Sequence, residues 1–355
     1  MLKVDFITIE VVKDVLGLYT PEKYTENFGH LKKIKNQENP EAWFRLGTLY
    51  LPGIAPKANG GQVVKYLQKA AEGDYSPAQT LLGLAYLHAT NADIAQAVEW
   101  LNKAVAHNDS VALYVLYQLH TDGKGVPLDI KKAVYLLKES AKGGYPRAQK
   151  TLAAEYMQGQ VVEKDIKEAL SWLTKAAEQK FPEAQNMLGG MYFNGVGTAQ
   201  DHLEALKWFS AASDQGYAEA QNNLGWMYYK GLGIKQNHIR AVELFVQSSE
   251  QDYLQSYYRL GVMYLDGLGV KQDFLKGAKL IKKAADRDHL EAIRHLGFLY
   301  EQGLGLKKDP VKAKKYYTVA ASRGNRLAKD RLDELNNPGR ARLSEPLDPF
   351  KMIPR

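Results

Sequence analysis

A block of residues that returns every 36 positions governs what this chain of 355 residues can fold into. Full units begin at Ala42, Ala78, Ala112, Ala148, Ala184, Ala220, Ser256 and Ala292, and a half unit begins at Ala328. Every step is 36 residues except the 34 between Ala78 and Ala112, where LHATNADIA shortens a glycine loop. A period of this size means stacked supersecondary units, each too small to bury its apolar face alone, so that neighbours supply the core. It also sets a test for function: a residue that recurs in every unit builds the unit, and one that departs from its sister positions is available for a partner.

Each unit reads as two helices. The first opens with proline or a polar cap, as at Asn39-Pro40, Ser76-Pro77, Pro146 and Pro182, and carries Ala184, Leu188 and Tyr192 four residues apart on one face. The second opens on an acidic or amide cap with a capping-box partner three residues on: Asp93 with Gln96, Asp165 with Glu168, Asp201 with Glu204. Gly73, Gly143, Gly216 and Gly324 follow it, where a left-handed residue is expected to close the last turn.

The repeated residues that invite a functional reading are better explained as scaffold. Gly47, Gly83, Gly189, Gly225, Gly261 and Gly297 sit inside the first helix, where glycine costs about 1 kcal/mol relative to alanine, and close approach of a neighbouring helix offsets that cost. The pairs Gly123-x-Gly125, Gly195-x-Gly197, Gly231-x-Gly233, Gly267-x-Gly269 and Gly303-x-Gly305 follow helices rather than strands and recur in five units, so they are turns and not phosphate cradles. Trp100, Trp172 and Trp208 share one second-helix position, and the tyrosines at 86, 156, 192, 228, 264 and 300 share one first-helix position, which assigns both sets to packing.

The recurring pattern A-x-x-x-L-G-x-x-Y-x-x-G-x-G-x-x-x-x-D-x-x-x-A, followed by a large apolar residue and K-A-A, resembles the Sel1-like repeat family, a relative of the tetratricopeptide repeat. Loop departures occur at LPGIAPKANGG after the first unit and at Gly159, and Gly277 replaces an alanine. The resemblance implies an all-α, right-handed superhelical solenoid of antiparallel helix pairs, with first helices lining a concave groove. It divides the chain into an N-terminal cap segment, 1–19, an array, 20–335, with a half unit at each end, and an extended or disordered tail, 336–355. It further implies a non-catalytic adaptor or scaffold that takes another protein or an extended peptide, in bacteria also an immunity protein that neutralises a secreted toxin such as a phospholipase effector. Host-interaction or signalling regulation is one alternative. Cell-wall or β-lactam ligand binding is another, set back because the relatives so associated are stapled by disulfides and this chain has no cysteine.

On the first helix the stripe opposite the repeated tyrosine face passes through Asn186, Gly190, Phe193 and Asn194. The same offsets along the chain give Tyr114 and Gln118, then Lys150, then Asn222, Trp226, Tyr229 and Lys230, then Tyr258 and Asp266, and finally Arg294, Phe298 and Glu301. These are the candidate partner-binding residues. Trp226 breaks the repeat, since its sister positions hold Thr48, Leu84, Gln118, Ala154, Gly190, Val262 and Phe298. With Phe193, Tyr229, Tyr258 and Phe298 it is expected to form an aromatic patch beside Lys230 and Arg294, a composition enriched at interface hot spots. The competing reading is that tight curvature buries these rings against one another.

Composition adds exclusions. The absence of cysteine removes disulfides, thiolate metal sites and thiol catalysis. Eight histidines show no metal-ligand spacing, and His120, in a repeated tyrosine position, belongs to packing. No nucleophile elbow or HExxH is present, so neither catalysis nor a cofactor or metal is expected. Asp5, Glu10, Lys13 and Asp14 interrupt the first apolar run, so neither a signal peptide nor a transmembrane segment is read there and the expected location is cytoplasmic. The net charge of +7 permits an acidic partner without demanding one, and lysines 307, 308, 312, 314 and 315 lack interleaved aromatics, which ranks nucleic acid last. A monomer is expected.

Overall fold

Helix follows helix through residues 39–50, 60–89 and 92–336, the part of the computed structural model that is described; the expected cap 1–19, the half unit before Asn39 and the tail after Asn336 lie outside it. No strand occurs among the described residues. The seventeen helices of the described residues fall into two compact units that divide between Gln179 and Lys180. Unit 1 contains α1 (Pro40–Leu49), α2 (Gly60–Glu72), α3 (Ser76–His88), α4 (Ile94–Ala106), α5 (Ser110–Asp122), α6 (Ile130–Lys142), α7 (Pro146–Gln158) and α8 (Ile166–Glu178). Unit 2 contains α9 (Pro182–Asn194), α10 (His202–Asp214), α11 (Ala218–Lys230), α12 (His238–Glu250), α13 (Leu254–Asp266), α14 (Phe274–Ala285), α15 (Leu290–Gln302), α16 (Pro310–Ser322) and α17 (Arg326–Asn336). Odd-numbered helices are the first helices of the repeat; α1 to α15 each pack on the even-numbered helix that follows, and α17 packs on α16. The fold is the all-α repeat solenoid that the periodicity predicts.

The helix ends are set by short-range chemistry repeated in each pair. The Asp93, Asp129, Asp165, Asp201, Asn237, Asp273 and Asp309 side chains accept from backbone N–H groups in the first turn of the second helix. Their own N–H groups reach back to the carbonyl of residue 86, 120, 156, 192, 228, 264 or 300, which closes the loop between the paired helices. First helices differ from expectation at their starts. The caps at Tyr75, Tyr145, Phe181, Tyr217 and Tyr253 are aromatic and make no side-chain capping bond. Where the preceding helix ends in the same unit, these residues complete a Schellman turn: Tyr75, Tyr145, Tyr217 and Tyr253 donate their N–H to a carbonyl five residues back. The left-handed residue before these four is Asp74, Gly144, Gly216 or Asp252, and Asn108, Lys180, Asp288 and Gly324 take the same conformation at the corresponding positions of the other repeats. Gly73 and Gly143 therefore stand one position too early to be the left-handed closure, and Asp74 and Gly144 take that role.

The helix-interior glycines behave as predicted. A Cβ on Gly189 would lie 2.8 Å from the Phe209 ring, and one on Gly225 would lie 2.8 Å from the Phe245 ring, so the missing side chain admits an aromatic of the paired helix. In the loops, a Cβ on Gly305 would lie 2.0 Å from the Phe274 carbonyl oxygen, at the start of the previous second helix. The loops at Gly125, Gly233, Gly269 and Gly305 thus seat on the start of the previous second helix, which is a packing contact and not a ligand cradle. The core is the repeated alanine and leucine, with Ala78, Ala112, Ala148, Ala184, Ala220 and Ala292 fully buried. His120 is buried and its Nδ1 lies 3.0 Å from the Pro127 carbonyl oxygen, as its packing assignment requires.

Candidate functional site

Because a helix turns 100° per residue, first-helix positions two, three, six, nine and ten after the repeat alanine fall on one broad face. In each unit this face borders a cleft between successive first helices. The cleft of unit 1 has a volume of about 380 Å³ and takes Tyr114 and Gln118 from α5 with Asp122, Lys124 and Arg147. The cleft of unit 2 has a volume of about 390 Å³ and is formed by α9, α11 and α13, with Phe209 of α10 at its back. Asn186, Gly190, Phe193 and Asn194 of α9 face Asn223 and Trp226 of α11 across it, and Arg259 of α13 closes one side.

Trp226 is half-buried and stacks on Tyr229 at 5.3 Å between ring centroids. Two cations attend the indole: Lys230 Nζ lies 4.8 Å from its centroid and the Arg259 guanidinium carbon 4.6 Å. Such contacts are strongest where the cation is partly desolvated. Arg259 Nη1 donates to the Asn222 carbonyl at 3.2 Å, while its buried Nε has no hydrogen-bond partner among the described residues. Burial pulls the Arg259 guanidinium down to about 10, which still leaves it cationic at neutral pH. Amides step across the three helices below this ring. Asn223 donates to Asn186 Oδ1 at 3.0 Å, and Ser256 donates to Asn222 Oδ1 at 3.2 Å.

The structure gathers some of the sequence candidates and disperses others. Asn186, Phe193, Asn194 and Trp226 line one cleft, with exposed Lys230 above Trp226. Asn222 and Tyr229 are buried beneath it. The expected single aromatic patch is not formed, because Tyr258, 0% exposed, packs on His289 at 4.9 Å and His295 at 5.8 Å, and Phe298 joins that second ring group through His295. Arg294, 1% exposed, is buried and so is not beside Trp226 on a surface. Glu301 is committed to Arg331, which it pairs with, and accepts from the Tyr317 hydroxyl at 2.8 Å, so it anchors α17. Tyr114 is buried with its hydroxyl 3.2 Å from Thr151 Oγ1, Lys150 is half-buried outside the clefts, and Asp266 is half-buried at the end of α13. Sequence reasoning missed Met187, Asn223 and Arg259, all three residues after the repeat alanine. The signal was present, since that position holds Arg45, Leu81, Val115, Thr151, Met187, Asn223, Arg259 and His295 in turn, seven residue types in eight repeats.

With this geometry established, comparison with known proteins assigns the scaffold. Sel1 repeats are matched at residues 40–75, 76–109, 111–145, 146–181, 182–217, 218–253, 254–289 and 290–325. The chain belongs to the Sel1 repeat family. It is similar to the crystal structure of c5321, a protective antigen of uropathogenic Escherichia coli with this repeat fold, at 29% identity and a TM-score of 0.73 over 88% of this chain and 68% of that one. A Sel1 repeat protein from Oxalobacter formigenes matches at 28% identity and a TM-score of 0.59, covering 91% of this chain and 93% of that one. An uncharacterised protein of Neisseria meningitidis serogroup B is 31% identical over 121 residues, 34% of this chain and 25% of its own length. The chain is thus a Sel1 repeat scaffold. Among the described residues no helix is long and apolar enough to cross a membrane.

Proposed function

We propose that this Sel1 repeat protein is a non-catalytic scaffold that holds an extended segment of another protein in the cleft of its second unit. One observation carries the reading: Trp226, the aromatic that breaks the repeat, stands half-exposed in a cleft whose other walls also come from positions that vary between units. A half-exposed indole offers large contact area at little conformational cost, which is what an interface anchor needs. Exposed Asn194 and half-buried Asn223, both in the cleft wall, supply amide groups suited to the peptide backbone of a strand laid across successive helices. Capturing a binding partner from native cells with tagged protein, then repeating the binding with Trp226→Ala, tests this. Binding should weaken by about 30-fold or more, the scale of a hot-spot residue. Helical content should persist, and the fall in melting temperature should be smaller than for Phe245→Ala, whose ring is 1% exposed. Unaltered binding with a large loss of stability would assign Trp226 to the core and sink the reading.

Immunity against a secreted toxin is the narrower form of this proposal, in which the occupant is a toxin such as a phospholipase effector and the complex is one to one. Recovery of such an enzyme with the tagged protein, and protection of a sensitive cell by the same protein, are its specific outcomes. The host-interaction alternative draws support from the protective antigen among the structural relatives, and it gives another setting for the same cleft rather than another chemistry.

A further inference from the structure

Arg259 is a cation set into a cleft without a counter-charge. Its Nε is buried and unpartnered, and no carboxylate lies within ion-pairing distance of it among the described residues. What it does touch is neutral: the Trp226 ring at 4.6 Å, the Phe245 ring at 5.9 Å and the Asn222 carbonyl. Glu219 is the acidic residue of the cleft wall, and it is engaged by the Tyr217 hydroxyl at 3.3 Å. Lys230 adds a second positive charge above the same indole. Taking a guanidinium partly out of water without an anion is costly, and an unmade charge-assisted hydrogen bond costs more than a neutral one. Arginine in such a place is preorganised to take a planar carboxylate through its fork of donors.

We infer that the cleft of unit 2 receives a side-chain carboxylate of the partner segment on Arg259, with an aromatic or aliphatic neighbour of that Asp or Glu packed against Trp226 and Phe193. The inference rests on the proposed protein-binding role of the cleft and names its chemistry: an acidic residue beside an apolar one. The asparagine amides then meet the backbone on either side, and Lys230 draws the acidic segment in.

The test uses the full chain, labelled with 15N, and two capped peptides: N-acetyl-Phe-Glu-Phe-amide and its Gln counterpart. The Trp226 indole N–H and the Arg259 Nε–H resonances should shift saturably with the Glu peptide. The Gln peptide should bind roughly tenfold more weakly or worse, the factor expected for one charge-assisted hydrogen bond. Arg259→Gln should remove the difference between the two peptides, and Arg259→Lys, which keeps the charge, should retain part of it. The Lys variant also serves if Arg259→Gln fails to fold. Equal binding of the two peptides, or no saturable shift with the Glu peptide, overturns the inference. So does a response to a free C-terminal carboxylate, in N-acetyl-Gln-Phe, that exceeds the response to the Glu side chain. If a partner captured through Trp226 binds Arg259→Gln as tightly as the native protein, the cleft keeps its role and the carboxylate inference alone falls.

Discussion

The ring of His295 is 1% exposed, lies between Tyr258 and Phe298, and has no hydrogen-bond partner for either nitrogen among the described residues. Burial, with a smaller contribution from the adjacent Arg294, pulls it from its ordinary 6.5 to about 3. The folded chain therefore holds this ring neutral across a range in which the unfolded chain protonates it. The sign follows from linkage: stability is full above pH 6.5 and falls as the pH drops, because the unfolded state binds the extra proton. Each pH unit between 6.5 and 3 costs about 1.4 kcal/mol, so the 1.5 units from 6.5 to 5 cost about 2 kcal/mol. For a unit of this size that is a fall of about 4–8 °C in melting temperature. The other groups around the ring are Arg294, which stays charged, Tyr258, which burial raises to about 12, Glu291, and His289, which burial also lowers. His289 adds to the same slope, so the native curve alone does not isolate His295. His295→Leu does. Urea unfolding at pH 7 and pH 5 should show the variant losing about 2 kcal/mol less than the native chain between the two. It should also be no less stable at pH 7, since two unpartnered buried nitrogens are removed at nearly constant volume. An identical loss in both proteins would refute the assignment.

Adjacent glycines of α9 should respond oppositely to alanine. Gly189→Ala drives a Cβ to 2.8 Å from the Phe209 ring and should cost about 1–2 kcal/mol net of the helix-propensity gain, whereas Gly190→Ala meets nothing within 4 Å and should gain about 0.5–1 kcal/mol, both read by denaturant midpoint. Lys180 holds φ at +62°, a conformation that costs a side chain with a Cβ but not glycine, so Lys180→Gly should stabilise the protein by up to about 1 kcal/mol in thermal melts. Glu301→Gln breaks a mostly buried ion pair with Arg331 and should release α17: its amides should exchange hydrogen faster while those of α9 and α11 do not, at a cost of about 1–3 kcal/mol.

How much of this was legible in the sequence depends on which quantity the 36-residue period encodes. It encodes the helices, their caps and their close contacts. Asp201 caps α10, Gly225 admits Phe245 and the loop glycines adopt positive φ because each is a local requirement that recurs in most of the repeats. It does not encode the aromatic starts of the first helices as caps, because a residue such as Tyr217 is chosen by the Schellman turn of the helix before it and not by the helix it begins. Nor does it encode the ion pair of Glu301 with Arg331, which occurs once, where the array closes on α17.

The candidate stripe shows a more general limit. Periodicity fixes the direction in which a side chain leaves the helix but not the depth at which it ends, and depth here changes along the helix axis. Two residues after the repeat alanine, Tyr114, Asn186, Asn222, Tyr258 and Arg294 are all buried, because the first turns of neighbouring first helices lie against one another. Six residues after it, Trp226 and Phe298 are half-buried, and ten residues after it Asn194 and Lys230 are exposed. Along α11 the stripe therefore passes from buried Asn222 through half-buried Trp226 to exposed Lys230, with Tyr229 buried beside them. This is why Tyr258 and Arg294 belong to the interior while Trp226 and Lys230, on the same stripe, stand at the cleft. It also accounts for Arg259, which lies one residue off the chosen stripe: at position three the side chain leaves α13 toward the preceding first helix, α11, so its cationic end reaches the cleft beside Trp226. In a repeat of this kind the residues that line a cleft are contributed by successive first helices. They are found by asking which positions vary at intermediate depth, not which positions share a face.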